Sequence, residues 1–105
     1  MRIISGSHRG RQIFPDKSFS ARPTTDFAKE NLFNVLTNYM DLEDISALDL
    51  FSGTGSISYE FASRGAREIV SIEQNYKHYM FIRRTAKPFY HSQNMYLKRP
   101  EPQAP

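Results

Sequence analysis

The chain is 105 residues long, with 14 Lys and Arg against 11 Asp and Glu and no cysteine. That length suits one domain, the lack of any long apolar run excludes a membrane span, and a basic start with no apolar stretch behind it predicts no secretory leader. Without cysteine there is neither a disulfide framework nor a cysteine metal site, so a cytoplasmic protein is expected.

The first 22 residues hold Arg2, Arg9, Arg11, Lys17 and Arg22 against Asp16 alone, a basic arm suited to a polyanion partner. Arg2-Ile3-Ile4-Ser5 and Arg11-Gln12-Ile13-Phe14 are β-prone runs around Gly6-Ser7-His8-Arg9-Gly10, which predicts a hairpin ending at Pro15. Basic side chains on such a hairpin meet phosphates without reading bases. Pro23 bars a helical conformation at Arg22, and Thr24 and Thr25 offer an N-cap for a helix to about Met40. Ala28, Leu32, Val35, Leu36 and Tyr39 form an apolar stripe that predicts packing on a sheet.

Asp41 to Asp44 is an acidic turn, and Ile45 to Phe51 reads as a parallel strand covered on both faces. Ser52-Gly53-Thr54-Gly55 breaks it, and two glycines one residue apart allow a turn and the close approach of a ligand. Ser56 is the expected cap of a helix that sends Ile57, Phe61 and Ala62 to the core and ends at Gly65. Glu68 to Glu73 is the second strand. The unit from Ile45 to Glu73 is therefore one strand–helix–strand crossover, whose glycine turn and terminal carboxylate share a cleft at the carboxyl ends of the strands.

Glu73 at that place can accept hydrogen bonds from both hydroxyls of a ribose, which points to a nucleoside cofactor. Ser58 stands where a dinucleotide fingerprint has its third glycine, and Asp49 would repel phosphate while orienting a cationic ligand's amino group. S-adenosylmethionine is favoured over a nicotinamide dinucleotide. Gln74 and Asn75 adjoin Glu73 on the adenosine side, and Asn75 can cap a helix carrying Tyr76, Tyr79, Met80 and Arg83 as packing positions. From about Ala86, prolines and the loss of periodicity predict a disordered tail.

Asp49-Leu50-Phe51-Ser52-Gly53-Thr54-Gly55, with Glu73 downstream and Arg22-Pro23-Thr24-Thr25-Asp26 upstream, resembles the RsmD-type methyltransferases. These modify the exocyclic N2 of a guanine in bacterial 16S ribosomal RNA. The opening Met1-Arg2-Ile3-Ile4-Ser5-Gly6, with Arg9-Gly10-Arg11, is similar to that family's start, and the likeness runs from Met1 to about Arg84. It implies an α/β class: a truncated Rossmann-like S-adenosylmethionine-dependent methyltransferase fold preceded by an N-terminal β-hairpin. Residues 1–22 would be the arm and its loop, 23–85 a partial methyltransferase domain and 86–105 the tail. The resemblance assigns Asp49, Phe51, Gly53, Gly55 and Glu73 to the donor, with Arg22, Thr24 and Thr25 closing over the pocket and Glu30 and Asn31 as further candidates. Arg2, Arg9, Arg11 and Arg22 would meet RNA, the partner being ribosomal RNA or a small-subunit assembly intermediate, with no membrane.

Amino-methyltransferases of this fold hold the amine with an Asp/Asn-Pro-Pro-aromatic motif after the fourth strand. This sequence contains none; Lys87-Pro88-Phe89-Tyr90 lacks the carboxylate or amide, and no catalytic residue is assigned. The expectation is a chain truncated before that motif, with a two-stranded sheet, marginal stability and self-association through the open edge of the first strand. The alternative function is an inactive RNA-binding fragment.

Overall fold

The computed structural model describes residues 1–15, 19, 24–90 and 94–100. Helix α1 (Asp26–Tyr39) leads through a 3-10 turn (Leu42–Asp44) into strand β1 (Ser46–Leu50). Helix α2 (Ser56–Ser63), strand β2 (Glu68–Ile72), helix α3 (Tyr76–Thr85), the short helix α4 (Lys87–Tyr90) and strand β3 (Asn94–Lys98) follow. The strands form one parallel sheet in the order β1-β2-β3.

Local chemistry explains the boundaries. Thr25 Oγ1 accepts from the Ala28 amide at 3.1 Å, and Asn75 Oδ1 accepts from the His78 amide at 3.1 Å, so α1 and α3 start on side-chain caps. Helix α2 starts differently from expectation. Gly55 is its N-cap and makes no side-chain cap hydrogen bond, while Ser56 is the first helical residue and turns its hydroxyl to Lys29. Arg64 and Gly65 close α2, with the Ala66 amide reaching back to the Phe61 carbonyl at 3.0 Å.

The period-2 pattern of the strands sorts their side chains onto two faces. Ala47, Ile69 and Met95 share one row, and Asp49, Ser71 and Leu97 the next on the same face. This face meets α2 and α3: Ile69 and Met95 pack with Tyr59, Ala62, Phe81 and Ile82. The opposite face carries Leu48, Val70 and Tyr96 in one row and Leu50, Ile72 and Lys98 in another. Leu48 is 64% exposed, Leu50 57% and Tyr96 50%, so β1 is covered on one face only, contrary to the expectation of cover on both.

The predicted hairpin is present as a docked arm. Arg2 and Gln12 form an antiparallel bridge, and the Ile3 amide donates to the Arg11 carbonyl at 2.9 Å. Ile3 and Ile13 are buried in the same core as the sheet, because their apolar side chains have α2 to pack on while the arginines alternate outward.

Three further expectations are corrected. Residues 86–105 were expected to be a disordered tail, yet Lys87–Tyr90 is helical and Asn94–Lys98 is a strand, giving three strands in place of two; 91–93 and 101–105 lie outside the described residues. Met95 and Tyr96 supply β-prone bulk, and β2 offers a free edge to pair with. Helix α1 does not bury its predicted stripe: Leu32, Val35 and Tyr39 are exposed, while Lys29 and Phe33 are buried against α2. In α3 the packing positions are His78, Phe81 and Ile82, and Tyr76 is exposed beneath the guanidinium of Arg99.

Candidate functional site

The carboxyl ends of β1 and β2 are tied together at the glycine turn. Phe51 has φ 57°, a left-handed backbone that costs a bulky residue about 1–2 kcal/mol. The turn that follows holds it there: the Ser52 amide donates to the Ile72 carbonyl at 2.9 Å and the Ser52 hydroxyl to the Asp49 carbonyl at 2.9 Å. The Phe51 ring stands 88% exposed at the rim.

Gly55 cannot be replaced in this geometry. Its φ is 83°, and a Cβ there would lie 2.5 Å from Cζ and the hydroxyl of the buried Tyr59 ring. Gly53 faces the other way: a Cβ at that position would approach nothing closer than the Phe51 carbonyl oxygen at 4.0 Å, so the space beside its backbone is open to a ligand.

Glu73, just past β2, organises the cleft. Its Oε1 accepts from the Gly53 amide at 2.6 Å and its Oε2 from the Asn75 amide at 2.8 Å. One buried carboxylate thus holds the glycine turn and the start of α3, and each oxygen keeps a lone pair for a hydroxyl donor. His78 Nδ1 lies 4.0 Å from Oε1, and its ring stacks on Phe19 with centroids 4.1 Å apart.

Asp49 is the second carboxylate. Ser58 donates to its Oδ2 at 2.6 Å, and Ser71 lies 2.5 Å from the Ser58 hydroxyl, so Ser71 can donate onward to Ser58. Burial pushes the Asp49 carboxyl above its ordinary range; the Ser58 hydrogen bond opposes that rise, and the charge of Glu73 adds to it. The residue that marks a departure from the dinucleotide fingerprint is the one that orients Asp49.

The remaining predicted residues divide. Thr25 caps α1, Thr24 is exposed, and Arg22 lies outside the described residues. Glu30 and Asn31 are exposed on α1. Gln74 is exposed, its carbonyl accepting from Arg99 Nε at 3.0 Å. Arg9 and Arg11 are exposed on the arm, whereas Arg2 is drawn to Asp26, whose Oδ1 accepts from the Arg2 amide at 3.1 Å and whose Oδ2 is 3.9 Å from Arg2 Nε. The structure therefore sets Asp49, Gly53, Gly55 and Glu73 around one turn at the carboxyl ends of β1 and β2 and keeps the arm's arginines on a separate element.

Sequence reasoning missed the buried polar residues behind the turn. Lys29 and Glu60 are both fully buried and 3.7 Å apart, and Glu60 also receives the guanidinium of Arg64 at 2.8 Å. Desolvation lowers the Lys29 pKa from its ordinary value, against the attraction of Glu60. A helical lysine reads as a solvated side chain, and its pairing with a residue 31 positions away leaves no local signal.

A carboxylate beside an open glycine turn suits a cationic ligand, and a second carboxylate with spare acceptor capacity suits a ribose; the donor set fits S-adenosylmethionine. Among the described residues there is no cluster of three or more metal-ligating side chains, and no helix long and apolar enough to cross a membrane.

Comparison with known proteins sets this cleft in a family. Residues 1–100 match the family Conserved hypothetical protein 95. Ribosomal RNA small subunit methyltransferase D of Haemophilus influenzae is 41% identical over 73 residues, which are 70% of this chain and 37% of that protein. The Escherichia coli protein of the same name is 40% identical over 75 residues, 71% of this chain and 37% of that protein. The solved yhhF protein of Escherichia coli superposes with a TM-score of 0.74 at 29% identity, over 92% of this chain and 50% of that one. The chain thus spans well under half the length of these curated relatives.

Proposed function

This chain belongs to the Conserved hypothetical protein 95 family of RsmD-type methyltransferases, and from that premise we propose that its cleft binds S-adenosylmethionine for the methylation of ribosomal RNA. The observation that carries the reading is the double hold of Glu73 on the Gly53 and Asn75 amides, which presents a carboxylate beside an open turn. Glu73 would take the ribose hydroxyls, Asp49 the amino group of the methionine part, and Gly53 and Gly55 the close approach of the donor. Phe51 would flank it at the rim, with Arg22, Thr24 and Thr25 on the substrate side. When bound, the donor supplies an electrophilic methyl group on a sulfonium.

The acceptor we propose is the exocyclic N2 of a guanine, in ribosomal RNA or a small-subunit assembly intermediate, and the setting is the cytoplasm. Arg2, Arg9 and Arg11 on the arm, with Arg22, would meet phosphate. No residue of this chain is assigned to the amine, since the sequence has no Asp/Asn-Pro-Pro-aromatic run. The second reading is an RNA-binding chain without methyl transfer, and the exposed Arg9 and Arg11 of the arm are what it rests on.

Calorimetric titration with S-adenosylhomocysteine, set against a Glu73→Ala variant, tests the donor assignment. Saturable binding is expected, weakened by about tenfold or more in the variant for the loss of a charge-assisted hydrogen-bonding group. A folded chain that takes up no S-adenosylhomocysteine, or that binds NAD more tightly, would remove it. Salt-sensitive RNA binding without methyl transfer would select the second reading.

A further inference from the structure

One buried polar cluster joins the arm to α1 and α2, beside the hydrogen bonds that Ser63 makes with Ser5, Ser7 and His8 and that Asp26 makes with the Arg2 amide. Lys29 Nζ donates to the Arg2 carbonyl at 2.6 Å and to the Ser56 hydroxyl at 3.0 Å, and lies 3.7 Å from Glu60 Oε1. Glu60 in turn accepts from the Ile4 amide at 2.8 Å and the Ser5 amide at 3.0 Å. Both side chains are fully buried. Ser56 directly follows Gly55, so Lys29 touches the arm at one end and the helix that opens from the glycine turn at the other.

A buried ion pair is a poor way to gain stability, because desolvation of the two charges offsets most of their attraction, and an apolar pair of similar volume often does as well. What it provides here is direction. An apolar side chain at position 29 would fill the same space but would leave the Arg2 carbonyl and the Ser56 hydroxyl without their donor. The ammonium has three donors, and its neighbours are one arm carbonyl, one hydroxyl and one carboxylate. Its position is thereby determined from three sides, and with it the position of Arg2.

We propose that Lys29 is a positioning residue that sets the RNA-facing arm against the donor turn, a role that rests on the functional reading given above for its RNA side. Lys29 would not touch donor or RNA. It fixes the backbone of Arg2 to Ser56, so that the arm's basic residues and the cleft keep one mutual placement. Nothing else ties Arg2 and Ser56 through a single side chain among the described residues.

Amide hydrogen exchange on the wild type, Lys29→Met and Lys29→Arg tests this, read beside titrations with S-adenosylhomocysteine and a ribosomal RNA fragment. In Lys29→Met the amides of Ile3, Ile4 and Ser5 are expected to exchange about tenfold faster, the scale of one lost charge-assisted hydrogen bond, while those of β1 and β2 keep their protection. Affinity for the RNA should fall by a similar factor, S-adenosylhomocysteine affinity should hold within about twofold, and Lys29→Arg should restore the arm's protection. Should Lys29→Met fail to fold, with Arg64 left as the counter-charge of the buried Glu60, Ser56→Ala, which removes one end of the tether and leaves Lys29 and Glu60 in place, carries the same measurement. Unchanged exchange in the arm, or an equal rise at every amide, overturns the proposal, the latter by showing a loss of global stability alone. A wild type that binds no RNA would defeat the functional reading, while the exchange result would still decide whether Lys29 positions the arm.

Discussion

Asp49, proposed above to meet the donor's amino group, is a carboxylate held partly out of water at some cost to the fold. Its carboxyl is half-buried, and that burial raises its pKa above the ordinary 3.8 even though Ser58 donates to it. The sign follows from proton linkage. Between 3.8 and the raised value the native state holds a proton that the unfolded chain has released, so stability falls as pH rises through that window. An ammonium ligand has the opposite preference and should bind more tightly as Asp49 ionises. As pH rises above 3.8, thermal melts should therefore show Asp49→Asn gaining stability relative to the wild type, and S-adenosylhomocysteine affinity in the wild type should rise over the same interval. Parallel melting curves for the two proteins across that interval would refute the assignment. The place of Asp49 beside the turn was legible because a carboxylate just before a glycine turn is a local pattern, and its role there stays the one proposed above. The role of Ser58 was legible only as the absence of a glycine, since its hydrogen bond needs the side chain placed by one turn of α2.

At the scale of elements, α1 separates what periodicity can tell from what it cannot. Ala28, Leu32, Val35, Leu36 and Tyr39 do share a face, but a shared face says nothing about which neighbour is there to cover it. The contact made by α1 is with α2, where Phe33 meets Phe61 edge-on with centroids 4.8 Å apart and lies under the Arg64 guanidinium at 4.7 Å. Phe33→Ala should accordingly cost about 3–5 kcal/mol, as for other buried aromatic truncations, while Val35→Ser should stay within about 0.5 kcal/mol. Urea unfolding monitored by circular dichroism measures both, and a large loss from Val35→Ser would mean that the stripe is buried in solution. The central unit from β1 to β2 was legible because its signals are local: an apolar run, two glycines, a helix ended by Gly65, a second run. Strand β3 was not, because Asn94 to Lys98 becomes a strand by pairing with β2, which lies more than twenty residues earlier.

For the molecule as a whole, the unusual quantity is the amount of apolar surface that one sheet face leaves in water. Parallel sheets are ordinarily covered on both faces, because the helices of successive crossovers lie there. Here α2 and α3 cover the face of Ile69 and Met95, while Leu48, Leu50 and Tyr96 are half or more exposed on the other, and Phe51 stands beyond them. Strand β1 is also at the end of the strand order, so among the described strands it has β2 alone as a neighbour. An apolar edge strand next to a bare apolar face is a template for association with a second copy. The isolated chain should therefore show an apparent mass that rises with concentration in sedimentation or light scattering. A Leu50→Lys substitution, which places a charge on that face without touching the core under α2, should return it toward the monomer. The same substitution should leave S-adenosylhomocysteine binding in place if the cleft depends on Glu73 and Asp49, since Leu50 points to the face opposite Asp49. A wild type that stays monomeric at every concentration would show that the bare face is tolerated in water, and would remove the association expected from the edge.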